Sequence, residues 1–296
     1  MTTPTTSTPA ANPASAFYAG SRVAQLMGRS LRSLDAVAPA FGTRAALRLF
    51  FTPLPWKLAA RGAVPAPWTV AHWPFEEVVL AAYRRPDLEP GRPRVLLVHG
   101  WAGSGMQMRG LGDAVAAAGF DPVLLDFPGH GRAGGWRSTL PQFSRALHAA
   151  GARLGPLHAV VAHSLGAVAA MHGAARGLSA ERLVLVAPSP PPALFLSWFA
   201  GSFGLREALA QRMRERIERR EGIDLAEFEP HWLGPRVAQP CLVVHDEGDR
   251  VAPFAAGRRL AQSLGSARLV PTQGLGHRRV LDDAAVAQAV AAHLCA

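Results

Sequence analysis

From Arg94 onward, short apolar runs alternate with longer amphipathic or alanine-rich stretches. The runs RVLLVHG (94–100), DPVLLDFPG (121–129), LHAVVAHS (157–164), RLVLVAPS (182–189), CLVVHDEGD (241–249) and ARLVPTQ (267–273) are short and rich in Val and Leu. Each reads as a strand. They are apolar throughout instead of alternating, which predicts burial on both faces, as in a parallel sheet covered by helices. Residues 106–118, 141–154 and 282–294, and the Ala-rich LGAVAAMHGAARG after Ser164, read as helices. Upstream, TVAHW (69–73) and EEVVLAAYR (76–84) read as two strands joined by a tight Pro-Phe connection. The fold class is α/β: a mostly parallel central sheet with helices on both faces.

The alternation breaks at about 190–238. PPALFLSWFAGSFG is apolar and aromatic, and REALAQRMRERIERREG is a charged amphipathic helix. An insertion between two core strands lies above the carboxyl edge of the sheet, where open α/β sheets bind ligands. It reads as a small lid, with Phe195, Trp198, Phe199 and Phe203 available for an apolar acyl pocket or for anchoring the lid. Before the sheet, residues 1–16 read as a disordered Thr/Pro/Ala tail and 17–68 as a basic, partly amphipathic helical arm. The domain proper is expected over 69–296.

The 296 residues are 49% hydrophobic, enough for one substantial core. The formal charge of +10 is carried almost wholly by Arg, and residues 1–75 hold seven basic groups against one acid, Asp35. Such a patch suits phosphates or an anionic lipid surface. With no zinc-finger spacing and no basic stripe interleaved with aromatics, nucleic acid is not an expected partner. Cys241 and Cys295 have no metal-ligand spacing and read as free thiols of a reducing compartment. No standard secretory signal and no membrane-spanning apolar run is present, so the expected location is cytoplasmic, with membrane-surface association through the arm left open.

The chemistry centres on VVAHSLGAVAA (160–170). Ser164 falls on the turn between an apolar strand and a helix, where a nucleophile elbow presents its serine. Four segments, LLVHGWAG (96–103), LLDFPGHGRAGG (124–135), AHSLG (162–166), and DEGDRVAP (246–253) with GLGHRR (274–279), stand in order at strand ends. With them, residues 69–296 resemble the α/β-hydrolase superfamily, as a serine esterase or lipase with a short lid. One departure is Ala162, where the family's G-x-S-x-G has its first glycine.

The resemblance implies a triad of Ser164 as nucleophile, His277 as base and Asp249 as the acid that orients it. Asp246 is the competing acid, and the D-x-x-V-A-P spacing favours Asp249. Asp126 is expected to be structural, holding the P-G-H-G turn. Backbone N–H groups of Trp101 and Leu165 would form the oxyanion hole. His163 flanks the nucleophile and is a candidate for lining the pocket or for packing. His99, His130, His163 and His245 lie at strand ends without metal-binding spacing, so no metal and no cofactor are expected. The implied activity is hydrolysis of carboxylic esters or thioesters, with a small-molecule acyl substrate. Acyl transfer, C–C bond hydrolysis and cofactor-free peroxidation on the same triad stay open, as does a non-catalytic scaffold carrying a membrane- or partner-binding arm. Chain length of the substrate and oligomeric state are not encoded in any motif.

Overall fold

The computed structural model describes residues 22–53 and 62–296. The tail expected over 1–16, and residues 17–21 and 54–61 of the arm, lie outside the described residues. The strands are β1 (Thr69–Phe75), β2 (Val78–Arg84), β3 (Arg94–Val98), β4 (Asp121–Asp126), β5 (Leu157–His163), β6 (Ala180–Val186), β7 (Cys241–Asp246) and β8 (Ala267–Thr272). They form one sheet in the order β1-β2-β4-β3-β5-β6-β7-β8. β1 and β2 pair antiparallel, β2 joins β4 antiparallel, and every other pairing is parallel.

The helices are α1 (Arg22–Val37), α2 (Pro39–Phe50), α3 (Arg109–Ala117), α4 (Leu140–Leu154), α5 (Leu165–Ala175), α6 (Pro192–Phe203), α7 (Glu207–Glu221), α8 (Pro230–Leu233), α9 (Phe254–Ser263), α10 (Gly276–Arg279) and α11 (Ala284–Cys295). The pleat explains the two-sided burial. Leu96 and Val98 join one core cluster while Val95 and Leu97 join the other, all four fully buried. α5 is apolar on all sides and its residues 165–174 are buried, as a helix against the centre of a covered sheet must be. Thr139 and Asp283 cap α4 and α11 by accepting the N–H of Gln142 and Val286.

Three expectations are corrected. The first hairpin turns at Glu76-Glu77, not at Pro74-Phe75; β1 is an edge strand, where a proline is tolerated. The helix expected from 106 opens as a 3-10 turn, Gly105–Met108, before α3. β8 is only half-buried, because it is the other edge of the sheet and carries Arg268 and Pro271.

The N-terminal helices and the 190–238 segment share a core. Leu31, Ala46 and Leu47 belong to the same cluster as Phe199, Phe203, Met213 and Ile217. Gly28 lies so close to α6 that a Cβ there would sit 2.8 Å from the Phe203 carbonyl oxygen. Arg32 donates to that carbonyl at 2.6 Å. Asp35, 1% exposed, accepts from Arg206 at 2.7 Å and from Arg212. At its other end the 190–238 segment reaches α5, where Glu227 accepts from Arg176 and pairs with His172 at 3.4 Å.

Candidate active site

Register places the site. β5 runs beside β3 with Val98 opposite Ala162, and beside β6 with His163 opposite Val186. The turns that follow these strands therefore meet at one edge. Ser164 has φ 55° and ψ −121°, a left-handed conformation unusual for serine. It is held by its N–H donating to the Val186 carbonyl at 3.0 Å, and by its own carbonyl accepting from Ser189 N–H at 3.2 Å. The tight turn needs Gly166, because a Cβ there would be 2.4 Å from the His99 carbonyl oxygen. Ala162 sits fully buried in β5, so the added methyl is accommodated.

Ser164, His277 and Asp249 are joined by hydrogen bonds. His277 Nε2 lies 3.0 Å from Ser164 Oγ, and His277 Nδ1 lies 2.7 Å from Asp249 Oδ2. Asp249 Oδ1 accepts the N–H groups of Val251 and Ala252 at 2.8 and 2.9 Å. Burial alone would raise its carboxyl, but the His245 and His277 imidazoles and the Ala252 amide override it and hold it well below the usual carboxylate range. Asp246 points elsewhere. It accepts from Thr272 Oγ1 at 3.0 Å and from the N–H groups of Leu275 at 2.9 Å and Gly248 at 3.0 Å. It therefore ties down the loop that carries His277.

The first loop is set by His99. Phe127 N–H donates to its Nε2 at 3.2 Å, which puts the proton on Nδ1, and Nδ1 donates to the Gly100 carbonyl at 2.6 Å. Gly103 N–H donates to the same carbonyl at 3.2 Å. A trans peptide directs the following N–H the opposite way, so the Trp101 N–H points out of this turn. Gly100 itself abuts the serine; a Cβ would be 2.6 Å from Ser164 Cβ. The Leu165 N–H opens α5 and has no acceptor within its helix. Asp126, fully buried, accepts from Tyr83 Oη at 2.6 Å, from Gly105 N–H at 2.5 Å and from Arg132 N–H at 2.7 Å. It fastens the P-G-H-G turn to β2.

His163 and the four aromatics of α6 are held by contacts within the fold. His163 is buried, and its Nε2–H donates to the His277 carbonyl at 2.9 Å, so it braces the histidine loop. Burial, with the neighbouring His277 adding, pushes its imidazole down to about 3. Phe199 and Phe203 face the arm, with Phe199 5.2 Å from the Phe50 ring and 4.9 Å from Phe203. Phe195 packs edge-on to Trp198 at 5.2 Å. None of the four lines the 720 Å³ cavity beneath α6, which is walled by Val168, Leu194, Phe228 and Leu260, edged by Glu229 and Arg259, and reaches Ser189. The reason is helical phase: Leu194 and Ser197 lie on the side of α6 turned to that cavity.

Ser189 is the residue that sequence reasoning missed. Its Oγ lies 2.9 Å from Ser164 Oγ. The available signal was register, since β6 neighbours β5 and the segment after Val186 must pass the elbow. Among the described residues no group of three His, Cys, Asp or Glu side chains is placed to hold a metal ion.

Two family models match the chain. One, described as alpha/beta hydrolase fold, covers residues 93–238; the other, described as TAP-like protein, covers 226–296. The chain belongs to the α/β-hydrolase superfamily. No curated protein sequence matches this hydrolase. Among solved structures it is similar to a hydrolase from Pseudomonas aeruginosa PA01, with 20% identity, TM-score 0.61, and coverage of 78% of this chain and 100% of that one. It is similar to a membrane phospholipase A described as a bacterial virulence factor, at 15% identity and TM-score 0.60, covering 91% and 96% of the two chains. It is also similar to the thioesterase domain from the curacin biosynthetic pathway, at 19% identity and TM-score 0.58, covering 77% and 99%. These likenesses speak to fold.

Proposed function

We propose that this hydrolase cleaves carboxylic esters, thioesters included, through an acyl-enzyme on Ser164. The observation that carries the reading is the continuous relay from Ser164 Oγ through His277 to Asp249, at 3.0 and 2.7 Å. His277 Nε2 takes the Ser164 proton as Oγ attacks the acyl carbon. The negative charge on the former carbonyl oxygen is met by the N–H groups of Leu165 and Trp101. The tetrahedral intermediate collapses, the bond to the leaving oxygen or sulfur breaks, and His277 returns its proton to the leaving group. Water then gives a proton to His277, attacks the acyl-enzyme carbon, and releases the acid while Ser164 regains its proton. Ser189 donates its O–H to Ser164 Oγ when Ser164 donates to His277, which fixes the attacking lone pair. The largely apolar cavity beside Ser189, with Glu229, His231 and Arg259 at its wall, suits an acyl chain.

The test is hydrolysis of p-nitrophenyl esters from acetyl to palmitoyl by the wild type and by Ser164→Ala. The expected result is loss of roughly a millionfold in kcat, with circular dichroism unchanged. Retained turnover in the variant would remove Ser164 from the mechanism.

A further inference from the structure

We propose that the outward face of the N-terminal arm is a docking surface for an anionic lipid bilayer. α1 has two apolar stripes, and only one packs against the other described residues. Ala24, Gly28, Leu31 and Asp35 form the inward stripe. Val23, Leu26, Leu34 and Val37, at 66%, 65%, 39% and 87% exposure, recur at i, i+3, i+11 and i+14 along a second face. Phe41, 61% exposed at the start of α2, extends it. A stripe of this spacing on one 16-residue helix has no role in the fold just described.

Charge decides the occupant. Arg22 and Arg29 are exposed beside the α1 stripe, and the Arg44 guanidinium lies 5.5 Å from the Phe41 ring centroid. The single acid among the described arm residues, Asp35, is buried and paired with Arg206 and Arg212, so it neutralises nothing on the outer face. A second copy meeting this face across a two-fold axis would set the same arginines against each other. A bilayer with anionic headgroups takes the apolar side chains at the acyl boundary and the arginines at the phosphates. No helix among the described residues is long and apolar enough to cross a membrane, so the helix lies along the surface. The arm is bonded to the lid through Arg32, Arg206 and Arg212, so the two would dock as one piece.

The experiment is vesicle flotation of the full chain, on phosphatidylcholine alone and with about 30% phosphatidylserine, at low and high salt. Two variants accompany it: Val23→Ser/Leu26→Ser/Leu34→Ser/Val37→Ser, and Arg22→Gln/Arg29→Gln/Arg44→Gln. All these residues are remote from the triad, so acetyl-ester hydrolysis and circular dichroism serve as controls for folding. The wild type is expected to float with the anionic vesicles. Partitioning should drop at least about tenfold in the stripe variant and roughly fivefold per arginine removed, with loss of salt dependence. Equal flotation of variants and wild type overturns the proposal, as does a wild type that stays unbound on both compositions. A dimer in sedimentation velocity that the stripe variant abolishes, without lipid binding, assigns the face to a second copy and also overturns it. The result does not depend on whether Ser164 is the nucleophile.

Discussion

Asp249→Asn is the sharpest probe of the relay, because the surrounding donors dictate how the amide must sit. Two backbone N–H groups point at Oδ1, from Val251 at 2.8 Å and Ala252 at 2.9 Å. An asparagine keeps both bonds only if its carbonyl oxygen takes the Oδ1 position. Its NH2 group then occupies the Oδ2 position, which now accepts the Nδ1–H of His277 at 2.7 Å. Donor would face donor. The imidazole escapes by moving its proton to Nε2, the nitrogen that lies 3.0 Å from Ser164 Oγ. In that tautomer Nε2 cannot accept the serine proton. The equivalent change in a Ser-His-Asp protease lowers kcat about 10⁴-fold, which is about 5 kcal/mol of barrier. We expect a loss of that size for p-nitrophenyl acetate, with KM within about threefold because the change leaves the cavity walls intact. Stability supplies a second readout. The Asp249 carboxyl is held below its ordinary value, so it contributes stability that is complete above about pH 4 and lost as pH falls further. The gap in urea midpoint between wild type and Asp249→Asn should therefore narrow below that pH. A folded Asn variant with kcat within tenfold of wild type would refute the tautomer argument.

Two further predictions concern the neighbours of the relay. Ser189→Ala removes the hydroxyl that lies 2.9 Å from Ser164 Oγ. A single neutral hydrogen bond is worth about 0.5–1.5 kcal/mol, so kcat should drop roughly two- to tenfold with KM nearly constant, and Ser189→Thr should restore it; steady-state kinetics that show no change would deny Ser189 a positioning role. His163 is pushed down to about 3, first by burial. Its folded value is depressed, so the stability it contributes is complete above about pH 6.5 and lost as pH falls toward 3, by up to about 1.4 kcal/mol per pH unit. Urea midpoints at pH 7 and pH 5 should show a shallower loss in His163→Gln, whose side-chain amide can still donate to the His277 carbonyl; an unchanged slope would place the acid sensitivity elsewhere.

Much of this architecture was legible because the strands are buried on both faces. After the exposed Arg94 the run VLLV has no polar position to mislead, and its neighbours in the sheet are alike. The edges were harder. Pro74 reads as a strand breaker, yet it lies within β1, and Arg268 and Pro271 belong to β8 because an edge strand needs neither full burial nor a full ladder. At the site, glycine and serine punctuation located the loops, while the roles within them needed distances. Asp246 and Asp249 are both buried carboxylates at one strand end. The D-x-x-V-A-P spacing favoured Asp249, and the donors agree: Thr272 and the Leu275 N–H reach Asp246, while His277 reaches Asp249. Ser189 had no local motif, since its partner is 25 residues away across a strand pairing. The aromatics of α6 left two readings open, pocket or anchor. Phe199 and Phe203 fill the arm interface, and a helix's apolar face does not announce which neighbour covers it.

The pairing of Asp35 with Arg206 and Arg212 bears on how such a protein can be inherited or rebuilt. The two partners are more than 170 residues apart in sequence, yet neither is complete alone. A graft of the α6–α7 segment onto another hydrolase body would carry two arginines with no carboxylate to receive them, and an aromatic face open to water. A deletion ending before the first strand would create the same defect from the other side. The amino-terminal helices and the α6–α7 segment are thus one transplantable module interrupted by the sheet, and changes in either half should be followed by compensating changes in the other.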